Sequence, residues 1–204
     1  MVHRVDAHTH HREHDGELRV ALDATLHCLT GCAIGEIAGL AIGTALGFSN
    51  LGTIVLAVVL AFFFGYALTS LPLLRAGLAL GAVIPIALAS DTLSIALMEI
   101  VDNAIVLLIP GAMDAGLGDV LFWGSLSVAL VIAGAFALPL NGWLIARGKG
   151  HAVVHETGIH GGPSPRLVGA IAAVAFVFGS AVLVAEAFDG SDKSSEPPGS
   201  HASA

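Results

Sequence analysis

Charged residues are scarce in this chain. Only 12% of its 204 residues are Asp, Glu, Lys or Arg, whereas 55% are hydrophobic and the mean hydropathy is +0.86. A soluble domain of this length needs more polar surface than that to cover its core. The scarcity of charge therefore excludes an ordinary soluble protein and indicates an integral membrane protein.

The chain also lacks the short alternating apolar and polar segments that a transmembrane β-barrel requires. Its apolar residues form five runs instead, each long enough to cross a bilayer as a helix of about 20 residues. We predict an all-α membrane bundle with spans at about 24–47, 51–71, 84–109, 121–146 and 167–188. A polar, His-rich segment (1–23) precedes this helical domain, and a tail that we expect to be disordered (189–204) follows it.

The third run is longer than one span requires, since apolar sequence continues from Leu71 to Ile109. Pro85 interrupts it, and proline is tolerated best in the first turn of a helix, where its missing N–H costs little. We therefore interpret 73–83 as an interfacial approach and place Pro85 near the start of the span.

Basic residues are few and lie on one side of the predicted spans. Seven of the eight precede span 1 or separate spans 2 and 3 or spans 4 and 5, namely Arg4, Arg12, Arg19, Arg75, Arg147, Lys149 and Arg166. By the positive-inside tendency, the N-terminus is expected in the cytoplasm and the C-terminus outside. A signal peptide cleaved near Ala45-Leu46-Gly47 is the alternative, but the long polar leader and long apolar run favour an anchor.

Glycines recur every four residues in the first span, at Gly31, Gly35, Gly39, Gly43 and Gly47. Overlapping small-xxx-small motifs of this kind let another helix approach the backbone closely. We expect a tightly packed neighbour along this glycine stripe, and glycine-rich faces also offer a surface for a homo-oligomer.

Cys28, Cys32 and Glu36 follow the same spacing of four, with His27 beside them. They lie on a face next to the glycine stripe and are expected to point into the bundle. A disulfide between the two cysteines is disfavoured, because Cβ atoms four residues apart in a helix are about 5–6 Å from each other. A disulfide requires about 3.5–4.5 Å.

The third span carries three acidic residues, Asp91, Glu99 and Asp102, together with Met98. At about 100° per residue, Asp91, Met98 and Asp102 lie within roughly 40° of one another. One side of this helix is therefore acidic.

Spans 1 and 3 run in the same direction, so the depth of their polar residues can be compared. At 1.5 Å per residue, Cys28 and Asp91 are equally deep, and so are Glu36 and Glu99. If the two helices are neighbours, their polar groups meet level by level. The glycine stripe is the only support in the sequence for that adjacency.

The membrane acids have no basic partner, because no predicted span contains Lys or Arg. Each unpaired ionised acid costs about 2.5–3.5 kcal/mol, so four would cost on the order of 10 kcal/mol. They must be protonated, hydrated or neutralised by a cation. Protonated carboxyls that join helices by hydrogen bonds are one reading, and a cation or proton path is the other.

Histidines favour a metal cation. Eight of the ten lie before span 1 or in the loop after span 4, at His3, His8, His10, His11, His14, His151, His155 and His160. Such tracts commonly bind metal. Cysteine and histidine suit Zn(II) or Cu(I), while carboxylates also accept harder divalent ions, so the set does not determine the ion.

Four segments carry a family resemblance: HCLTGCAIGE, YALTSLPLLRAG, SDTLSIALMEIVDNAIVLLIPGAMDAGLGDVLFWGS and WLIARGKGHAVVH. Over roughly residues 25–160 the chain resembles a bacterial family of small multi-spanning membrane proteins that is defined as a domain of unknown function. The resemblance implies a bacterial inner membrane and no particular substrate.

The leading hypothesis is a membrane protein that binds a transition-metal cation of the Zn or Cu class between spans 1 and 3. An extension of this hypothesis is that the protein also conducts the cation. Its predicted ligands are His27, Cys28, Cys32, Glu36, Asp91, Met98, Glu99 and Asp102, with His8, His10, His11, His14, His151, His155 and His160 as accessory ligands. The expected partners are the bilayer and the ion, not nucleic acid.

Two other functions stay open. One is a membrane thiol oxidoreductase that uses Cys28 or Cys32 with a partner protein or quinone, although the chain contains no CxxC motif. The other is a packing or assembly subunit without catalytic activity. A binding or transport protein is favoured over an enzyme.

The asymmetry of the basic residues predicts the topology. A reporter that is active only outside the cytoplasm should give signal when it is fused after Ala204 and none when it is fused at Gly150. The reverse pattern would place the His-rich segments outside the cell.

Overall fold

The computed structural model describes the backbone of residues 3–150 and 165–194, and the side chains of residues 16–150 and 170–188. It contains five long helices, α1 (His3–Ala45), α2 (Asn50–Arg75), α3 (Leu80–Leu108), α4 (Val120–Ile145) and α5 (Pro165–Ser194), and a short 3-10 turn (Ala112–Asp114). No strand occurs in these described parts. All five helices are long and apolar enough to cross a membrane, so the predicted all-α bundle with five spans is confirmed.

The N-terminal and C-terminal segments of the chain contain more helix than their polar sequences predict. Helix α1 begins at His3, so the His-rich leader continues the helix of the first span. Helix α5 continues to Ser194, so the first residues of the expected tail are helical, and 195–204 lie outside the described residues. A helix started by an apolar run can extend into polar sequence, because each added residue gains one backbone hydrogen bond.

The connection between α2 and α3 differs from the expected interfacial approach over 73–83. Helix α2 continues to Arg75, and α3 begins at Leu80, with the side chains of Leu73 and Val83 fully buried. A tight turn joins them, in which Gly77 has a φ of 90° and the N–H of Leu78 donates to the carbonyl of Leu73 at 3.2 Å. The long apolar run therefore forms the end of α2, a tight turn and the beginning of α3.

Helices α1 and α2 form an antiparallel pair that is held at the glycine stripe. A Cβ added at Gly31 would lie 2.8 Å from the Cα of Gly65, and one at Gly39 would lie 2.5 Å from the Cα of Ala57. Real Cβ atoms essentially never approach a backbone so closely, so these positions require glycine. The expected close neighbour is thus confirmed.

The partner of the stripe is α2, whereas the sequence offered the stripe as support for contact with the third span. Gly35 faces Ala61 and Gly43 faces Thr53, both on α2. Gly47 does not belong to the packed stripe, because it lies in the turn after α1 with a φ of 69° and open space around it.

The remaining helices assemble around this pair. Helix α1 also contacts α3 and α4, α3 packs between α2 and α4, and α5 packs mainly on α4. Gly124 and Gly179 permit the close α4–α5 crossing, since a Cβ at Gly124 would lie 2.6 Å from Val182. In the central core cluster, the buried residues that α2 and α4 contribute are alanines (Ala61, Ala133 and Ala137), and their small side chains allow the four helices to approach one another.

We name the two ends of the bundle by the chain that lies there. At the proximal end α1 enters near Gly16, α2 and α4 end, and α3 begins. At the distal end α1 and α3 end, α2 and α4 begin, and the 3-10 turn is found.

The glycine contacts predict a stability difference. Replacing Gly35 or Gly39 by Leu should lower the free energy of unfolding in detergent by roughly 1–3 kcal/mol or more, because the side chain meets the α2 backbone. Gly142→Leu is the matched control, since nothing lies within 4 Å of a Cβ at that helical glycine. Equal thermal stability of all three variants would contradict the packing of the stripe.

Candidate acidic site between α1 and α3

The structure brings the polar residues of the first and third spans together in levels. Cys28 lies close enough to Asp91 for an electrostatic interaction, and Cys32 has the same relation to Glu99. Glu36 lies close to Asp102 and Glu99. The contact of α1 with α3 therefore brings these residues together. Cys28 meets Asp91 as expected, whereas Glu99 lies beside Cys32, one turn before Glu36, as well as near Glu36.

These side chains lie inside the bundle. Cys28 and Cys32 are 0% and 1% exposed and are both free thiols. Glu99 is 4% exposed and Asp102 is 2% exposed. The thiol of Cys32 lies beside the carboxyl of Glu99, although not in hydrogen-bonding geometry.

The carboxyls nearest the distal end have buried oxygens that receive no hydrogen bonds from the described residues. Both carboxyl oxygens of Glu99, both of Asp102 and Oε1 of Glu36 are buried and have no hydrogen-bond partner within the described part of the chain. Leaving a buried polar group without a partner costs about 1–3 kcal/mol, and more if it is charged. We call these three residues the acidic site.

A cavity of about 350 Å³ connects the acidic site with the distal end. Its deepest polar residues on α1 and α3 are Glu36 and Asp102, and its mouth lies between the α1–α2 turn and the 3-10 turn. The other polar lining residues are Thr44, Asn50, Thr53, Asn103, Asp114 and Ser125. At about 30 Å³ per molecule, the cavity has room for on the order of ten waters.

An apolar barrier closes the cavity on its proximal side. Ile95, Met98 and the two cysteines pack there with Ala61, Ala133 and Ala137, all of them buried. Met98 thus lies in the core between the levels rather than facing the cavity. The rise along α3 from Ser94 to Glu99, the first residue of the acidic site, makes this barrier about 7–8 Å thick.

A separate polar layer lies on the proximal side of the barrier. His27 and Thr69 share a hydrogen bond of 2.9 Å between Nε2 and Oγ1. Thr69 also interacts with Asp91, which accepts a hydrogen bond of 3.0 Å from Ser90. His27 and Asp91 therefore belong to this layer and not to the acidic site.

Asn141 completes the proximal layer, and it was not identified as a functional residue from the sequence. Its Nδ2 donates to Thr25 Oγ1 at 2.9 Å, and its Oδ1 accepts a hydrogen bond from Ser94. One amide thus joins α1, α3 and α4. A single Asn within an apolar span was the available signal, since a polar group at that depth needs partners from other helices.

The eight predicted ligands do not form one coordination shell. In the described parts of the chain, no group of three or more His, Cys, Asp or Glu side chains is placed to hold one metal ion. The set is divided among the proximal layer (His27 and Asp91), the apolar barrier (Cys28, Cys32 and Met98) and the acidic site (Glu36, Glu99 and Asp102). Only the backbone is described for His8, His10, His11 and His14, and His151, His155 and His160 lie outside the described residues.

Five apolar helices that enclose buried acids define a multi-pass helical membrane protein. Residues 18–150 match the family model described as "Domain of unknown function (DUF4396)", and the chain belongs to this family. The match contains the cavity, the acidic site and the proximal layer, and it ends before α5. No curated protein and no solved structure matches the chain significantly.

The cavity predicts a difference in thiol reactivity. Asn103→Cys, placed in the cavity lining of a Cys28→Ala, Cys32→Ala background, should react with a charged maleimide added from the distal side. The parent protein is the control, because its two buried thiols should react at least roughly tenfold more slowly. Equal rates would mean that the cavity is closed to water.

Proposed function

We propose that this protein binds a transition-metal cation of the Zn or Cu class at the acidic site and conducts it along the α1–α3 contact, in a bacterial inner membrane. The observation that carries the proposal is a set of five buried carboxylate oxygens without donors among the described residues. Those of Glu36 and Asp102 belong to residues that line the cavity, and those of Glu99 lie beside them. Oxygens whose lone pairs are not used by the protein are available to a cation.

Charge favours a cation over an anion or a neutral ligand. Glu36, Glu99 and Asp102 lie near one another, and the spans in which they lie have no Lys or Arg at that depth. Like-charged carboxylates in a medium of low dielectric constant repel, and a bound divalent cation removes most of that repulsion.

Cys32 favours a soft or borderline ion. Its sulfur lies beside Glu99, so an ion there could take one thiolate with carboxylate oxygens and water. Mg²⁺ and Ca²⁺ prefer oxygen alone, whereas Zn(II) and Cu(I) accept sulfur. These side chains contact one another in pairs and not in groups of three or four. Water molecules, or a small shift of the helices, would therefore complete the coordination of the ion.

The order of the polar groups supports conduction rather than storage. From the distal cavity an ion would meet Glu36 and Asp102, then Glu99 with Cys32. It would then pass Cys28 within the barrier and reach Asp91 on the proximal side. His27 lies next in the proximal layer. If the proximal end faces the cytoplasm, the accessory histidines would collect or receive the ion there.

The two other hypotheses have less support. A thiol oxidoreductase needs a thiolate that a partner can reach, and both cysteines are buried in the apolar barrier. Carboxyls that only hold helices together would be hydrogen-bonded between helices, and Glu99 and Asp102 accept no such bonds within the described chain. A homo-oligomer stays a prediction, although the glycine stripe of α1 is occupied by α2.

Calorimetric titration of the full-length protein with Zn(II), and with Cu(I) kept reduced, tests the proposal. Glu99→Gln and Asp102→Asn keep shape but remove charge, so each should weaken one site per chain by roughly tenfold or more. Cys32→Ser should reduce the preference for the soft ion. Binding should release protons and weaken as pH falls, because protons compete for the ligands.

Glu186→Gln is the control, because this exposed carboxyl lies on α5 away from the acidic site. It should bind like the parent protein. If Glu99→Gln and Asp102→Asn also bind the same number of ions with the same affinity, the intramembrane metal site does not exist.

A further inference from the structure

The two ends of the bundle are closed to different degrees. On the distal side, the cavity reaches Glu36 and Asp102. On the proximal side, the apolar barrier is followed by the polar layer of Asn141. An ion at the acidic site can therefore exchange with the distal side, whereas the way to the proximal side is shut.

Asn141 ties together the three helices that would have to separate on the proximal side. Thr25, Ser94 and Asn141 come from α1, α3 and α4 and are at most 5% exposed. Hydrogen bonds between polar side chains contribute only modestly to stability in a membrane, so such a bridge can break and form again.

The backbone can bend at the same end. Helices α2, α3 and α4 each contain one proline, Pro72, Pro85 and Pro139, and all three lie in the proximal halves of their helices. Each proline removes one backbone hydrogen bond and permits a kink. Pro139 lies two residues before Asn141, so a bend there moves the amide directly.

We infer that the Thr25–Asn141–Ser94 bridge is the latch of a proximal gate. In the conformation described here the latch is closed and the acidic site communicates with the distal cavity. When Asn141 releases its two partners, the proximal part of α4 moves outward and the barrier around Cys28 and Cys32 opens. As the gate of a conduction path, the latch rests on the proposed function, because it controls how a cation leaves the acidic site.

The two cysteines of the chain report directly on this barrier, since both are buried within it. Asn141→Ala removes both bonds of the latch. It should accelerate the reaction of Cys28 and Cys32 with a charged maleimide roughly tenfold or more when the reagent is added from the proximal side. Ser94→Ala and Thr25→Val each remove one bond and should have smaller effects in the same direction.

Asn103→Ala is the matched control, because among the described residues the amide of Asn103 bonds only to the backbone carbonyl of Glu99 in its own helix, at 2.9 Å. It should leave the rate unchanged. Folding is checked by thermal unfolding of each variant, and the single-bond variants decide the result if Asn141→Ala does not fold. Labelling of a folded Asn141→Ala protein at the parent rate, or faster labelling only from the distal side, would overturn the latch.

The labelling is carried out without metal, so its outcome is independent of the calorimetric titration. If labelling supports the latch but titration shows no ion binding, the gate serves another substrate. If titration shows ion binding but labelling contradicts the latch, the proposed metal site stands and the latch does not.

Discussion

The close approach of α1 to α2 is the constraint on which the rest of the bundle depends. Glycine every four residues commits one face of α1 to the backbone of α2. The face that carries Cys28, Cys32 and Glu36 lies about 60–100° around the helix from the neighbouring glycines of that stripe, at 100° per residue. It is therefore turned toward α3 and α4, where the acids and the barrier are found. Without the α2 contact, nothing in α1 alone would aim these side chains at Glu99 and Asp102.

The interior contains two kinds of polar group, which differ in whether their hydrogen-bonding capacity is satisfied by the described residues. The proximal layer is made largely of hydroxyls, amides and one imidazole that bond to one another, so it stabilises a closed packing. In the acidic site, by contrast, carboxyls lack donors among the described residues. If these carboxyls served only to hold the helices together, we would expect hydrogen-bond donors beside them, because a buried polar group without a partner costs free energy. Among the described residues, the two halves of the interior therefore differ: the distal half has carboxyl oxygens without donors, and the proximal half has polar groups that bond to one another.

Much of this could be predicted from the sequence. The spans follow from the apolar runs, and the pairing of Cys28 with Asp91 and of Glu36 with Glu99 follows from the constant rise of helices that run in the same direction. The partner of the glycine stripe did not follow, because small residues predict a close approach without identifying the helix that approaches. The cavity depends on how two distal connections are placed, and the partners of Asn141 are distant in sequence, so no local pattern predicted either.

The regular spacing in α1 also restricts how this protein can change in evolution. Each glycine faces a position on α2 such that the two residue numbers add to 96, as for 31 with 65, 35 with 61 and 39 with 57. An insertion or deletion of one residue inside this segment would rotate everything beyond it by about 100°. If the change lies between Gly31 and Glu36, it would also turn Glu36 away from Asp102, so the packing of the glycine stripe and the acidic site depend on the same register. Substitutions can alter either one alone, whereas a change of length in that part of α1 disrupts both.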